Sequence, residues 1–548
     1  MFVPILMTLD PADEKSWMWV FHKLASIGKG NRWPIVAQKE YFASYKTYEV
    51  PNVFKEWYDV SLETNDVLDN IIPIEIPESI INNYIEQYPS QTDAFVNSFV
   101  DKWPELVNYL FNRLSKLAVV EGRNIEGLIL FRYYNCFENL AKMLNVPTFY
   151  FELGLRLPDY RNTFYWSKQG VMGKSGFGDR FARFHKEFLK SPLLILNAKE
   201  ILALFLRDEK LEYLNKDNSN KYEFGIFGSY SIPMASTAFN KITLSEELML
   251  VRKIFSDDKI IIKTHPSDPL MATPRFPNLE KDGVTSAQFI RKCKRVVCAG
   301  SNVVFEAALY GVPAYDLGWS QYSFISNLSL KELTDKLPNE EELSFIAFCC
   351  LAPLELLKDI DYIRRAITSD SELEIYKFNL EYYLKDYGLS YDELLNSNNR
   401  LELILKSRLH NSYDNCRQIT HQVLTPMAEL QIELSNAQRL LNKLLEKERL
   451  QSEENKKLVY EILKLKEDYD ILKNQINILE RSNKDNILTI DRLNADNLIL
   501  KENLQNMEQL YKESDILYNQ VLDSTAYKCT KPFRQIGNLI NKIHEWSE

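Results

Sequence analysis

At 548 residues the chain is too long for one ordinary domain, and its 45% hydrophobic and 12% aromatic content excludes global disorder. A formal net charge of −10, with no lysine-arginine block in the first 400 residues, argues against a nucleic-acid partner. Seven scattered cysteines, an odd number with no CxxC pair, exclude a disulfide framework, give no zinc pattern and point to a reducing compartment.

The first residues, MFVPILMTLDPADEK, lack the basic start, long apolar region and small-residue cleavage site of a secretory leader, so a cytoplasmic protein is expected. Further on, 125–132 (IEGLILFR) reads as a strand, NCFENLAKMLNV as a helix and 147–154 (PTFYFELG) as the next strand, which makes one βαβ unit. The stretch 206–221 is polar and Asn-rich and reads as a linker. Beyond it, YEFGIFGSYS, DKIIIKTHP, RVVCAGSN and VPAYDLG form a second set of strands, and the helix VVFEAALYG stops at Gly311. Isoleucine-rich runs of this kind are central strands of parallel sheets. The most apolar stretch, LSFIAFCCLAPLELL (343–357), is too short to cross a bilayer and reads as a core helix.

From Met427 the pattern changes. Apolar residues recur every seven positions from Met427 through Leu434, Leu441, Ile462, Ile476 and Ile490 to Tyr511. A companion series runs from Leu430 through Leu444, Leu458, Leu472 and Leu493 to Met507, with no proline or glycine between Met427 and Tyr527. These are a and d positions of a left-handed coiled coil, roughly 140 Å long at ~1.5 Å per residue. Asn455, Asn483 and Asn497 at a favour parallel strands in one register, as a dimer or a trimer. The chain therefore divides into 1–205 and 222–400 as two α/β halves joined by the linker 206–221. A connector (401–426), a coiled coil (427–521) and a basic amphipathic tail (522–548) complete it. The tail sets Lys528, Lys531, Arg534 and Lys542 around Phe533, Ile536, Leu539 and Trp546, and either lies on an anionic membrane or packs on a partner.

Parallel sheets bind ligands beyond the carboxyl ends of their strands, so the residues just past each apolar run are the candidates for a site. Of six histidines only His265 comes after a central strand, with Lys263 before it and Pro266 fixing the turn after it. At the next turn Gly300, Ser301 and Asn302 open a helix whose free N–H groups and dipole attract an anion, although Ser301 fits an N-cap equally well. Glu306 shares a helix face with Asn302, and its carboxylate suits a sugar hydroxyl or a base amine better than a phosphate. The two turns together describe a nucleotide-sugar pocket. Across the cleft, Glu152 ends its strand two residues before Gly154 and suits a general acid or base if burial raises its pKa. Arg156, Arg161, Lys168 and Lys174 come next among aromatic residues and suit an acidic sugar, or equally a solvated charged surface. GVMGKS is not a phosphate-binding P-loop, because Lys168 stands where the pattern needs glycine.

The order Glu152-x-Gly154, QGVMGKS, KTHP and GSNVVFEA, over roughly 125–322, resembles the bacterial capsule-polysaccharide Kdo transferases and the β-Kdo transferases that cap O-antigen chains. The His-Pro and Ser motifs are also similar to those of bacterial sialyltransferases, which bind CMP in a similar way. The resemblance implies a GT-B-like pair of Rossmann-type domains followed by a long parallel coiled coil, with 1–205 as the acceptor side and 222–400 as the CMP-sugar side. It implies a CMP-Kdo-dependent glycosyltransferase acting on the end of a surface polysaccharide. No metal or cofactor is implied, and the CMP-sugar is a substrate. Glu152 and His265 are the catalytic residues so implied, with Lys263, His265, Pro266, Gly300, Ser301, Asn302 and Glu306 around the nucleotide. Gly154, Arg156, Lys168, Lys174, Ser175, Ser229 and Ser231 then contact the acidic sugar or acceptor. The coiled coil resembles that of polysaccharide-assembly proteins, where such a rod acts as a ruler of chain length. Implied partners are a polysaccharide acceptor, further copies of the chain and other assembly enzymes, with peripheral contact at the inner membrane.

Two positions depart from the family. Met172 stands where relatives usually carry Asn, and no Asp or Glu lies between Glu223 and Glu246, where a retaining enzyme of this kind places its nucleophile. Another acid supplies it, or the enzyme inverts with Glu152 as base, or the chain is inactive. A degenerate, non-catalytic scaffold and a transferase using UDP- or GDP-sugars are the alternatives.

Overall fold

The computed structural model describes residues 1–9, 17–28, 31–51, 55, 58, 62–214, 218–228, 249–263, 278–280, 283–318, 320–409, 435, 438–439 and 463–477. His265, Pro266, Ser229, Ser231, the tail and most of the coiled-coil stretch lie outside them. Two compact units are present, Met1–Leu405 and Lys406–Glu548.

The first unit holds two sheets. In the larger, β1 (Phe2–Leu6), β2 (Trp33–Gln38), β3 (Ile71–Ile76), β4 (Gly127–Phe131) and β5 (Thr148–Leu153) run parallel in the order β5-β4-β1-β2-β3. Two antiparallel strands, β6 (Thr163–Ser167) and β11 (Leu351–Pro353), extend it beyond β5. The smaller sheet is all parallel. Its strands β7 (Phe224–Phe227), β8 (Ile260–Lys263), β9 (Val296–Cys298) and β10 (Ala314–Asp316) lie in the order β10-β9-β7-β8. Strands β1, β4, β7, β9 and β10 are buried along their whole length, as expected where both faces are covered. Each Leu, Ile, Val or Phe so buried contributes about 1.5–3 kcal/mol.

Among the described residues, each strand expected from the sequence, and the helices expected in NCFENLAKMLNV and VVFEAALYG, correspond to an element. The helix Asn135–Leu144 stops at Asn145 in the left-handed region (φ 53°), and the helix Val303–Leu309 is followed by Gly311 at φ 66°. In β5, TFYFEL, the side chains alternate. Phe149, Phe151 and Leu153 join the core beneath the helices Met18–Ser26 and Ile360–Thr368, and Tyr150 and Glu152 therefore face the other side.

The stretch 343–357 is core but not one helix. The helix Glu340–Phe345 runs into a π turn, Ile346–Cys350, then into β11, then into the 3-10 turn Leu354–Lys358. Uniform burial removes the periodicity that separates helix from strand, and Pro353 sits where an edge strand tolerates it. β11 pairs with β6, Leu351 opposite Tyr165 and Pro353 opposite Thr163, so this segment belongs to the first sheet although its position lies within 222–400. The chain thus returns to its first half. Arg180 secures the return from the helix Phe177–Phe188, donating to both Glu372 oxygens and to the carbonyls of Trp166 and Cys349, with its guanidinium 4.3 Å over the Trp166 ring.

The expected linker is partly structured: Asp208–Leu214 forms a 3-10 segment with Leu211, Tyr213 and Leu214 buried. In the second unit, 463–477 is helical, and its least exposed residues are Leu465, Tyr469, Leu472 and Ile476, which are expected a and d positions. The Tyr469 hydroxyl lies 3.5 Å from Gln438 Oε1. No described helix is long and apolar enough to cross a membrane.

Candidate active site

Glu152 sits at the carboxyl end of β5, opposite Tyr165 of β6. Its side chain keeps 17% of its exposure, with Oε2 3.5 Å from Arg132 Nε. Oε1 accepts the Leu153 N–H at 3.1 Å. Burial pushes its carboxyl above the ordinary range, while the Arg132 guanidinium, the Leu153 N–H and Arg156 pull it back. Arg132 follows β4 directly, takes φ 66°, and stacks at 4.5 Å on the Trp17 ring, which fixes the cation beside Glu152.

Asn302 brings the second sheet to this edge. Its amide donates to the Leu153 carbonyl at 2.8 Å and to the Gly154 carbonyl at 3.3 Å, and its Oδ1 accepts from Gln321 Nε2 at 2.8 Å. The residue after Glu152 is therefore joined to the residue after Ser301. The expectation put Asn302 beside a phosphate; here it latches the carboxyl edges of the two sheets together.

The turn around it is held from within. Asp316, at the end of β10 and 2% exposed, accepts from the N–H groups of Gly300 (3.2 Å), Gly318 (3.1 Å) and Ser320 (2.7 Å) and from the Ser323 hydroxyl (2.7 Å). The Gly300 N–H expected to face an anion is thus occupied, and the Ser301 hydroxyl, one residue before the N-cap Asn302, accepts from the Val303 N–H at 3.3 Å. Lys263 donates to the Val284 carbonyl at 2.5 Å.

Glu306 is 8% exposed and, among the described residues, its Oε2 has no hydrogen-bond partner. Burial first, then the Asp159 carboxylate, push its pKa up to about 7, against the pull of Arg156, the Tyr160 hydroxyl and Lys263. Asp159, 2% exposed, is raised by burial in turn, with Thr285 and Lys210 opposing. Tyr160 donates to the Tyr310 hydroxyl at 3.3 Å, another bond from the β5–β6 loop to the second half. Two buried acids from opposite halves therefore share one electrostatic environment.

The other expected contacts divide. Arg156 Nη1 donates to the Tyr58 hydroxyl at 2.8 Å, on the Glu152 side. Gly154 is a packing position, since a Cβ there would lie 2.4 Å from Thr163 Oγ1 and 2.8 Å from Leu351 Cδ2. Lys168 is drawn away: Thr148 at the start of β5 bonds its carbonyl, and its ammonium donates to the Ser369 carbonyl at 2.8 Å. Lys174 is exposed, and Ser175 is buried with its carbonyl accepting from Ser167. Neither Lys168 nor Ser175 meets Glu152 in these contacts, because the turn after β6 starts at the amino end of β5. Arg132, Asp159, Gln321 and Asp316 did not emerge from the sequence. Arg132 and Asp316 had a signal, each being a charge that ends a buried strand, whereas Asp159 and Gln321 lie in loops without one.

No family model matches the chain, and no curated protein sequence does. Among solved structures, it is similar to Thermosulfurimonas dismutans KpsC, beta Kdo 2,7 transferase, at 18% identity over 43% of this chain and 79% of that one, TM-score 0.27. The beta Kdo 2,4 transferase of the same organism's KpsC matches at 11% identity over 43% and 86%, TM-score 0.27. A putative UDP-N-acetylglucosamine 2-epimerase from Listeria monocytogenes matches at 12% identity over 67% and 95%, TM-score 0.25. Likenesses this low give no support to a shared activity.

Proposed function

We propose that the protein is a glycosyltransferase that moves Kdo, or a related acidic sugar, from its CMP-activated form to the end of a bacterial surface polysaccharide. The observation that carries this reading is the Glu152 carboxylate, raised by burial and flanked by Arg132 and Arg156, at an edge that Asn302 joins to the Ser301 turn. In the proposed step the acceptor hydroxyl gives its proton to Glu152, and its oxygen forms a bond to the anomeric carbon. The bond from that carbon to the CMP phosphate oxygen breaks, and its electron pair leaves with CMP. A single displacement of this kind inverts the anomeric centre and needs no acid in 224–245. Arg132 and Arg156 suit the carboxylate of the acid sugar. His265 and Lys263 are proposed at the departing phosphate. The heptad stretch is proposed to mediate self-association and spacing from the membrane, in the cytoplasm.

The test is incubation of the full chain with CMP-Kdo and oligosaccharide acceptors. Free CMP and an acceptor heavier by one Kdo are expected, and tighter calorimetric binding of UDP or GDP than of CMP overturns the donor assignment. A second reading, a non-catalytic scaffold, is favoured by the Gly300 N–H and the Lys263 ammonium already having protein partners. Thermal protection by CMP without transfer would select it.

A further inference from the structure

A cavity of about 370 Å³ opens beside the β5–β6 loop, large enough for a sugar ring. Its wall carries the cations Lys23, Arg161, Arg207 and Lys358 against one carboxylate, Glu355. The acids that pair with these cations, Glu63 with Lys358, Glu209 with Arg207 and Asp386 with Arg161, are not part of the wall. Among the described residues, the wall therefore carries four cations, three of them ion-paired to acids behind it, and one carboxylate. Lys23 is the telling member. It is 6% exposed beside Lys358, which is itself paired with Glu63, so two ammonium groups share one half-closed space. Burial and the Lys358 charge lower the Lys23 pKa to about 8, with Glu63 and Glu355 opposing.

The cavity adjoins the proposed chemistry. Tyr58 lines it, and the Tyr58 hydroxyl accepts from Arg156, whose charge acts on Glu152. We propose that this cavity is an anion subsite seating the negatively charged end of the acceptor, a carboxylate- or phosphate-bearing sugar, linked to Glu152 through Tyr58 and Arg156. The word acceptor rests on the transfer reading above; the anion subsite itself does not.

Calorimetry on the full chain at low salt, with trigalacturonate, glucose 6-phosphate and neutral maltotriose, tests it. At least one charged ligand should bind, weakening as salt rises, and which of the two does so tells carboxylate from phosphate. The double variant Arg207→Gln/Lys358→Gln should raise that Kd at least tenfold, and Arg207→Lys/Lys358→Arg should restore much of it, with melting curves confirming that each is folded. Equal binding of maltotriose, no binding of either charged ligand at millimolar concentration, or an unchanged Kd in the folded double variant overturns the subsite. The two readings separate in the wild-type protein. Charged-ligand binding without Kdo transfer removes the transferase alone, and transfer without binding of either charged ligand removes the subsite alone.

Discussion

Glu152 combines an exposed fraction with a raised pKa, which is what a proton acceptor in a half-open cleft requires. Glu152→Gln keeps the shape and removes the basicity, so transfer should fall by about 100- to 10,000-fold while the melting temperature holds. In the wild type, kcat/KM should rise with pH to a midpoint above the ordinary glutamate value of 4.5, because the folded pKa is raised. A flat profile, or a midpoint at or below that value, removes Glu152 as the base. Glu306 makes a separate prediction. Its folded pKa is about 7 and its ordinary value 4.5, so between those values the folded state holds a proton that the unfolded state has released. Stability therefore declines as pH rises through that window, by up to about 3 kcal/mol, and levels off above it. Glu306→Gln should flatten that decline and melt higher than wild type at pH 8. Thermal unfolding at pH 5 and pH 8 reads both.

At the scale of elements, strands were legible because IIIK, FGIF and GLILF are buried on both faces and punctuated by polar turns. Their pairing was not, since partners such as β1 and β4 are separated by more than a hundred residues and no local pattern encodes register. Gly154 shows the difference: it stood out in sequence as part of a site motif, yet its neighbours Thr163 and Leu351 make it a contact between three strands. Gly154→Ala should destabilise by about 1–3 kcal/mol through overpacking, measured by denaturant unfolding. The return of the chain onto its first sheet depends on Arg180 and Glu372. Glu372→Ala leaves a buried guanidinium without its carboxylate and should cost about 3–5 kcal/mol in the same measurement. A loss below about 1 kcal/mol would show that the β11 pairing holds the segment by itself.

At the scale of the whole molecule, Met1–Leu405 holds both sheets and the candidate site within one compact unit. A 1–405 fragment should therefore fold cooperatively, and light scattering should find it monomeric where the full chain is proposed to associate through its heptads. Equal oligomeric states in the two would remove the heptad stretch as the source of association. The sequence by itself determined the parallel α/β character, the polar turns that come after buried strands, and the sevenfold apolar period after Met427, because each is a short-range pattern of burial. Only the tertiary structure decided that Asn302 latches the sheets, that the Asp159 charge acts on Glu306 from the opposite half, and that four cations from distant segments wall one cavity. Those are contacts across long stretches of chain, set by how the sheets dock, and docking is a property of surfaces that exist only once both sheets have formed.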